Sequence, residues 1–273
     1  MKRGFATVVV HALLVAAAVL TLAPLAWMVS ASLMPTGEAS AVPPRWIPST
    51  PTLAHYRELV ERLDVARAFR NSLLIATVVT IVSVTLNALA GYGFARFAFA
   101  GRDRIFRVLL AALVIPGQLG MLPLFLMLRE LGLVNSLLGV LVPGLASIFG
   151  IFLVRQYALS IPQSLLDAAR IDGAGELRVF WSIVVPICRP VLVTLALFTF
   201  MGTWNDFLWP LVVLSDARLQ TLPVALANLL GEHVQDTELM MAGAVLTVLP
   251  VVVVFLALQR SYIEGIVSGS VKQ

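Results

Sequence analysis

The chain has 273 residues, of which 59% are hydrophobic and only 12% are charged. Because soluble domains carry about 25% charged residues, this composition excludes a soluble globular protein and predicts a polytopic membrane protein. The formal net charge of +4 does not indicate nucleic-acid binding, since the Arg residues lie in segments between apolar runs, where they set membrane topology. A single cysteine excludes an internal disulfide and a thiolate metal site, and we expect no bound metal.

Six apolar runs are each long enough to cross a hydrocarbon core about 30 Å thick. We predict spans over Ala6–Val29, Ser72–Ala95, Ile105–Leu128, Leu137–Leu159, Val191–Leu214 and Leu239–Leu258. The first run follows Met-Lys-Arg, so a cleaved signal peptide is an alternative, although its apolar core is longer than that of a signal peptide. The prediction is one all-α transmembrane domain of six helices over residues 1–273.

The basic residues predict the orientation of the spans, because cytoplasmic loops carry an excess of Arg and Lys. With the N-terminus in the cytoplasm, the two inner loops hold four Arg each, whereas the two short outer loops hold one each. Both termini are therefore predicted to be cytoplasmic. The inner side then includes the loop at residues 160–190 and a C-terminal tail, residues 260–273.

The predicted outer loop, residues 34–71, has two parts. The first part is too rich in proline for a regular helix. The second part, Leu53–Phe69, has apolar residues at helical spacing among charges and predicts a surface helix. We expect this loop to orient the second span, with contact to an external partner protein as the alternative.

Several spans contain helix breakers or polar residues. The breakers are Pro116-Gly117, Pro143-Gly144, Pro210 and Pro250, which are typical of bends in membrane helices. Polar side chains are costly within a bilayer, and Gln118, Asn205 and Asp206 are predicted to lie within spans. Hydrogen bonding between helices is the favoured role for Asn205 and Asp206. Contact with solute in a translocation path is the alternative for all three.

The sequence carries no visible catalytic or nucleotide-binding chemistry. Lys2 and Lys272 are its only lysines, so it has no phosphate-binding loop of the Gly-rich, Lys-containing type. Nor does it contain a nucleophile elbow or a zinc-protease motif. The chain is therefore not expected to be an enzyme or to bind a cofactor. Because six spans hardly enclose a path for a polar solute, a second membrane subunit is expected.

The segment Ile161–Pro190 is the longest polar interruption in the second half of the chain. Pro162 and Gly173 are typical of the start and end of a helix, which predicts a short amphipathic helix from Pro162 to Ile171. A second helical run is predicted to rise from Glu176. A structured hairpin between two spans indicates a segment that docks to another protein, rather than a flexible linker.

This hairpin resembles the EAA loop of ABC importer permeases. The resemblance lies in Leu166-Asp167-Ala168-Ala169-Arg170-Ile171-Asp172-Gly173-Ala174, followed by Phe180-Trp181 and Ile183–Pro186. Asp167 stands where the motif usually has Glu. Three further segments resemble the six-span second membrane subunit of maltose-type sugar importers, namely Trp204–Leu208, Leu222-Pro223 and Gln259–Lys272.

The resemblance implies a type I ABC importer permease in a bacterial or archaeal inner membrane. It implies a second permease subunit, a cytoplasmic ATPase dimer that holds ATP and Mg²⁺, and an extracytoplasmic solute-binding protein that delivers a sugar. The residues implied in docking to the ATPase are Leu165, Asp167, Ala168, Ala169, Arg170, Asp172 and Gly173. The C-terminal tail, with Glu264, Gly265, Gly269 and Lys272, is implied to reach into the ATPase dimer.

The residues themselves agree with this interpretation. Leu165, Ala168, Ala169 and Asp172 share one helical face, where small side chains allow close approach. Asp167 and Arg170 are spaced to form an ion pair. Two other functions remain open from the sequence, an ion-coupled secondary carrier that uses Asp206 and a non-transporting membrane scaffold. A non-sugar solute such as a polyol or glycerol phosphate also remains open.

Overall fold

The computed structural model describes residues 2–43, 45–232 and 236–270, which form helices joined by turns and loops, with no strand among them. The α-helices are α1 (Lys2–Ala31), α2 (Ala54–Leu63), α3 (Val65–Arg96), α4 (Arg102–Ala112), α5 (Met121–Glu130), α6 (Leu137–Leu141), α7 (Ile148–Ala158), α8 (Gln163–Ile171), α9 (Glu176–Val179), α10 (Val185–Trp204), α11 (Leu208–Val213), α12 (Leu222–Glu232) and α13 (Thr237–Ser270). Short 3₁₀ turns lie at Gly117–Gly120, Val142–Gly144 and Ala217–Leu219.

Five helical stretches among the described residues are long and apolar enough to cross a membrane. They are Thr7–Ala31, Val65–Arg96, Leu137–Ala158, Glu176–Trp204 and Thr237–Gln259. A sixth span exists if the bent pair Arg102–Ala112 and Gly117–Glu130 is taken as one. The all-α, polytopic architecture predicted from the sequence is therefore confirmed.

The predicted third span, Ile105–Leu128, is not one straight helix. Its two halves meet at an angle of 100°. At the break, Pro116 is extended, with φ −57° and ψ 129°. A proline cannot donate the backbone hydrogen bond that would continue the helix, so α4 ends before it and a new helical stretch starts at Gly117.

The predicted fifth span, Val191–Leu214, is displaced along the chain. The helix that crosses there begins at Glu176 and ends at Trp204. It continues through Pro186 because a π-helical segment, Phe180–Val184, precedes that proline and relaxes the hydrogen-bonding register. Asp206 therefore lies beyond the end of α10, and the expectation that it sits well inside a span was wrong.

The predicted surface helix Leu53–Phe69 is two helices. Asp64 adopts a left-handed conformation, with φ 48° and ψ 38°, and separates α2 from α3. The rest of the predicted helix, from Val65 to Phe69, belongs to the same continuous helix as the second span. Only α2 is therefore a separate helix of the outer loop.

The chain divides into two compact units. The first comprises residues 1–66 and 225–250. In this unit the loop after α1 is held by two acidic side chains. Buried Glu238 accepts a hydrogen bond from the Ala39 N–H at 2.7 Å. Glu38 pairs with Arg45 at 2.9 Å and accepts from the Ser49 N–H at 3.1 Å.

The second unit comprises residues 67–224 and 251–273. Two apolar clusters lie among its described residues. The first cluster gathers Ala88, Tyr92, Val154, Ile161, Leu166, Val179, Phe180, Val184, Cys188, Val191 and Leu195. The second gathers Ile75, Val79, Leu128, Val140, Leu141, Trp209, Val213 and Leu214. The first cluster joins the polar hairpin to the spans, and it positions the candidate site.

Candidate functional site

The polar segment predicted at residues 160–190 forms a helical hairpin, whose second arm is the beginning of the fifth span. Its first helix, α8, ends at a turn in which Gly173 has a φ of +83°. The Gly173 N–H donates to the Arg170 carbonyl at 3.0 Å, and the Ala174 N–H donates to the Ala169 carbonyl at 3.0 Å. This pair of bonds is the Schellman motif, whose left-handed residue is usually glycine. Gly173 therefore fixes both the end of α8 and the direction of the chain after it.

Helix α8 has one packed face and one exposed face. Leu166 is fully buried, and Ala169 is half-buried against the same cluster. On the other side, Leu165 is 42% exposed and Ile171 is 86% exposed. Four further predicted docking residues are also exposed, namely Asp167, Ala168, Asp172 and Gly173. The exposed face thus combines apolar side chains with a small residue, a composition that suits contact with another protein.

Arg170 joins the two arms of the hairpin. Its Nη1 donates to Asp167 Oδ1 at 2.9 Å, so the predicted ion pair is present. Its Nε and Nη2 donate to the two carboxylate oxygens of Glu176 at 2.8 and 3.2 Å. The hydrogen bonds with Glu176 raise the pKa of Arg170 further above its usual value. A two-pronged arginine–carboxylate pair fixes geometry as well as charge, so Arg170 holds α8 against the start of the following helix.

The end of α3 reaches both arms of the hairpin. Arg96 Nη1 donates to Gln163 Oε1 at 3.0 Å, and Gln163 Nε2 in turn donates to Asp167 Oδ1 at 2.9 Å. The Tyr92 hydroxyl donates to Glu176 Oε2 at 3.4 Å. The ion pairs of the hairpin are therefore continuous with side chains of the second span.

Arg96 also closes the end of α7. Its Nη2 donates to the Ala158 carbonyl at 2.7 Å and to the Ile161 carbonyl. The last carbonyls of a helix lack partners within that helix, and a cation there is favourable. One guanidinium therefore ties the end of the second span to the end of the fourth span and to the start of the hairpin.

A second arginine attaches α4 to the same region. Arg155, in the last turn of α7, donates from Nε to the Phe94 carbonyl at 3.3 Å. Its guanidinium carbon lies 4.1 Å from the centre of the Phe106 ring, a cation–π contact. Arg96 and Arg155, two of the basic residues on the predicted cytoplasmic side, are thus also structural contacts between helices.

Helices α3 and α7 pack closely behind the hairpin. A β-carbon added at Gly91 would lie 2.8 Å from Val154 Cβ, closer than such atoms approach. Further along, the Asn87 side-chain oxygen accepts from the Ser147 N–H at 3.0 Å, and its amide donates to Ser83 Oγ at 2.9 Å. Asn87 is fully buried, so it is a polar contact between spans. The close packing of α3 against α7 therefore supports the hairpin from behind.

The hairpin is continuous with the long helix Glu176–Trp204. Leu166 lies in one cluster with Phe180 and Leu195 of that helix, and the Arg170 pair clamps its first residue. The helix has 29 residues, which at 1.5 Å per residue is about 43 Å. Helix α8 is therefore attached to the fifth span by both apolar packing and an ion pair.

The three residues considered for a translocation path do not come together. Gln118 is exposed in the turn between the halves of the third span. Asn205 Nδ2 donates to the Met201 carbonyl at 2.9 Å, within its own helix. Asp206 accepts from the Trp209 N–H at 3.4 Å and lines a cavity with Trp209 and other residues. These hydrogen bonds of Asn205 and Asp206 are local and do not join separate spans.

The predicted C-terminal tail is partly described. Glu264, Gly265 and Gly269 lie within α13, which continues to Ser270. Lys272 lies outside the described residues.

Sequence reasoning missed four residues of this site, namely Leu166, Glu176, Tyr92 and Arg96. Leu166 stands within the resembling segment but was not assigned a role. Glu176 could have been found, because an acid six residues after Arg170 and just beyond a glycine turn is placed to pair with it. Tyr92 and Arg96 are 84 and 67 residues from their partners in the hairpin. No local pattern signals such contacts.

Comparison with known proteins identifies the family. Residues 83–266 match the family described as binding-protein-dependent transport system inner membrane component. The chain belongs to this family. As a binding-protein-dependent transport permease it is a multi-pass protein of the cell membrane and a transporter subunit rather than an enzyme. The resemblance to importer permeases drawn from the sequence is confirmed.

Three curated permeases show the range of relatives. The arabinooligosaccharides transport system permease protein AraQ of Halalkalibacterium halodurans is 40% identical over 204 residues, covering 75% of this chain and 73% of the relative. The lactose transport system permease protein LacG of Rhizobium radiobacter is 33% identical over 272 residues, covering 100% of this chain and 98% of the relative. The sn-glycerol-3-phosphate transport system permease protein UgpE of Yersinia pestis is 34% identical over 201 residues, covering 73% of this chain and 72% of the relative.

The fold of the permease also matches a solved structure. A chain of a bacterial ABC transporter involved in the import of the acidic polysaccharide alginate superposes with a TM-score of 0.82, covering 95% of this chain and 97% of that one. Its sequence identity is 23%, so the match supports the fold alone.

Proposed function

We propose that this permease forms half of the translocation path of an ATP-driven importer for a sugar, with both of its termini in the cytoplasm. A second permease subunit completes the path, a cytoplasmic ATPase dimer binds ATP and Mg²⁺, and an extracytoplasmic binding protein delivers the solute. The exposed face of α8 docks in the ATPase. The C-terminal tail adds a further contact with that dimer.

One observation carries the proposal. Helix α8 exposes Leu165, Ala168 and Ile171 while its other face is locked to the fifth span through Leu166 and the Arg170–Glu176 pair. A mechanical link between an ATPase and a span requires an exposed surface that binds the ATPase and a rigid attachment to the span. A slack surface loop needs neither.

The sugar class is supported by the relatives rather than by the hairpin. AraQ, LacG and a melibiose, raffinose and stachyose import permease, MelC of Bacillus subtilis, all bear the names of oligosaccharides. UgpE bears the name of a phosphorylated polyol. Neutral oligosaccharides are therefore the first solutes to test.

The experiment uses the complete importer, with this chain co-expressed with its partner permease, ATPase and binding protein. An affinity tag on this chain is expected to recover the ATPase. Gly173→Asp is expected to abolish uptake while the chain still inserts in the membrane. Full uptake after both Gly173→Asp and deletion of residues 162–173 would overturn the proposed coupling role.

A further inference from the structure

A cavity of about 280 Å³ opens where two spans are interrupted. Its wall includes Gly117 and Met121, at the break of the third span, and Thr203 and Asp206, at the end of α10. All of its lining residues belong to the second compact unit. The helix breaks at these two places therefore border a cavity rather than form simple bends.

The wall of the cavity is apolar except for four side chains. Ile75, Val79, Leu124, Val140 and Trp209 supply apolar surface, and Ser72, Thr203, Asp206 and Thr221 supply polar groups. Mostly apolar walls with a few placed polar groups are typical of small-molecule sites.

The polar groups are not fully used by the protein. Thr221 is only 4% exposed, and its hydroxyl has no hydrogen-bond partner among the described residues. Ser72 Oγ accepts from the Leu222 N–H at 2.8 Å, which leaves its hydroxyl hydrogen available to donate. A buried hydroxyl without a partner is costly, so the Thr221 hydroxyl is free to bind a polar molecule that enters the cavity.

The indole of Trp209 is held rigidly at the cavity wall. Its Nε1 donates to the Gly139 carbonyl at 3.1 Å, and the residue is 9% exposed. A fixed aromatic ring beside a carboxylate offers an apolar surface and a hydrogen-bond acceptor to the same ligand.

We infer that this cavity is a subsite for one ring of a neutral, hydroxyl-rich solute. The Asp206 carboxylate accepts hydrogen bonds from solute hydroxyls, and Thr203, Thr221 and Ser72 supply further hydroxyl partners. The inference rests on the proposed importer function and specifies which residues of this chain hold its cargo.

Charge and size narrow the class of solute. The lining contains the carboxylate of Asp206 and no basic side chain, so a phosphate or a uronate placed there would meet like charge. The volume of about 280 Å³ lies at the small end of the range for ligand pockets, which is about 300–1,000 Å³. It suits a single sugar ring and not a whole oligosaccharide.

The first test follows uptake by the complete importer in proteoliposomes, with arabinotriose, lactose and raffinose as neutral probes and sn-glycerol 3-phosphate as the anionic probe. Uptake of none of these probes would count against the proposed function itself. With a neutral sugar that is taken up, Asp206→Asn and Thr221→Val are each expected to raise the KM, by about tenfold or more for the charged acceptor.

The second test measures directly whether the transported sugar occupies the cavity. In a Cys188→Ser background, which removes the single native cysteine, Thr203→Cys is labelled with a methanethiosulfonate in the complete complex. The transported sugar is expected to slow this labelling severalfold. Ser215→Cys, at an exposed residue that does not line the cavity, is the control and is expected to show no protection.

The charge of the site is tested on the same variant. A cationic methanethiosulfonate is expected to react with Thr203→Cys on the order of tenfold faster than an anionic one, because Asp206 is close, and Asp206→Asn should remove the preference. Labelling that the transported sugar does not slow, or a KM unchanged by both cavity substitutions, would overturn the subsite while leaving the importer function intact.

Discussion

Arg170 and Glu176 face each other across the Gly173 turn, with Nε 2.8 Å from Oε1 and Nη2 3.2 Å from Oε2. Glu176 is the first residue of the fifth span, whereas Arg170 lies in the last turn of α8. The pair therefore connects the proposed ATPase-docking helix to a transmembrane helix without an intervening flexible segment. Loosening this connection should weaken coupling before it affects folding.

Replacing Glu176 with Gln tests this connection. The variant keeps the shape of the side chain but removes the charge that pairs with Arg170. Because the pair is partly exposed, its contribution to stability is at most about 1 kcal/mol, so expression and membrane insertion should stay near wild type. We expect the solute taken up per ATP hydrolysed to fall severalfold in the reconstituted importer.

The matched control is Asp103→Asn, which removes an ion pair of similar length. Asp103 lies 3.0 Å from Arg102, its neighbour in the chain, and the pair does not join two helices. Loss of the Arg102–Asp103 pair should leave the amount of solute taken up per ATP hydrolysed unchanged. Equal losses in the two variants would show that the effect of Glu176→Gln is a general effect of charge.

Gly173 and Gly175 offer a comparison of backbone conformation. Gly173 has a φ of +83°, and a β-carbon there would meet nothing within 4 Å. The cost of Gly173→Ala is therefore backbone strain alone, about 1–2 kcal/mol. We expect lower thermal stability and weaker coupling, measured by thermal unfolding in detergent and by uptake. Gly173→Asn should be milder, since Asn tolerates this conformation.

Gly175 provides the control for that experiment. It has a φ of −70° and equally open surroundings. Gly175→Ala should therefore change neither stability nor uptake. A loss in Gly175→Ala as large as that in Gly173→Ala would contradict the conformational explanation.

Gly91 and Gly93 offer a comparison of packing within one helix. A β-carbon at Gly91 would lie 2.8 Å from Val154 Cβ and 2.9 Å from the Arg155 nitrogen, whereas one at Gly93 would be 4.0 Å from Phe97 Cδ2. Gly91→Ala must push α3 and α7 apart and should destabilise the chain by about 1–3 kcal/mol. Gly93→Ala should be near neutral, and the midpoints of thermal unfolding in detergent measure both.

Protonation of the Glu38 carboxylate should loosen the loop after α1 at low pH. Burial raises the pKa of this carboxyl, but hydrogen bonds from Arg45 and Ser49 outweigh burial and hold the pKa below its usual value. Its stabilising contribution is therefore present above the unfolded pKa of about 4.3 and is lost as the pH falls through the lower native value. Protease cleavage within residues 38–49 should rise at acidic pH.

Glu38→Gln should make that cleavage faster at neutral pH and less dependent on pH. The control is Glu130→Gln, because Glu130 is exposed and pairs only loosely with its neighbour Arg129, at 3.4 Å. A pH dependence in Glu38→Gln identical to that of the wild type would assign the acid response to another group.

Much of the fold could be predicted from hydropathy and turn residues. Long apolar runs specify membrane helices wherever they occur, and Pro162 and Gly173 define α8 because their backbone preferences act locally. The Asp167–Arg170 pair could be predicted for the same reason, since helical spacing alone brings those side chains together.

The errors arose where helix continuity depended on more than hydropathy. Pro116-Gly117 in the sequence predicts a bend of the third span but not its size, which is 100°. Conversely, Pro186 and the charges around it suggested a later start for the fifth span. The π-helical segment at Phe180–Val184 allows the helix to pass that proline.

The account is tested most directly by site-specific photo-crosslinking in the assembled importer. Ile171 is 86% exposed and Leu165 is 42% exposed on α8, whereas Ile47, in the outer loop, is 79% exposed. With p-benzoylphenylalanine at each position in turn, the two α8 positions are predicted to crosslink to the ATPase and position 47 is not. Crosslinking of the ATPase from position 47, with none from positions 165 and 171, would contradict the proposed docking surface and orientation.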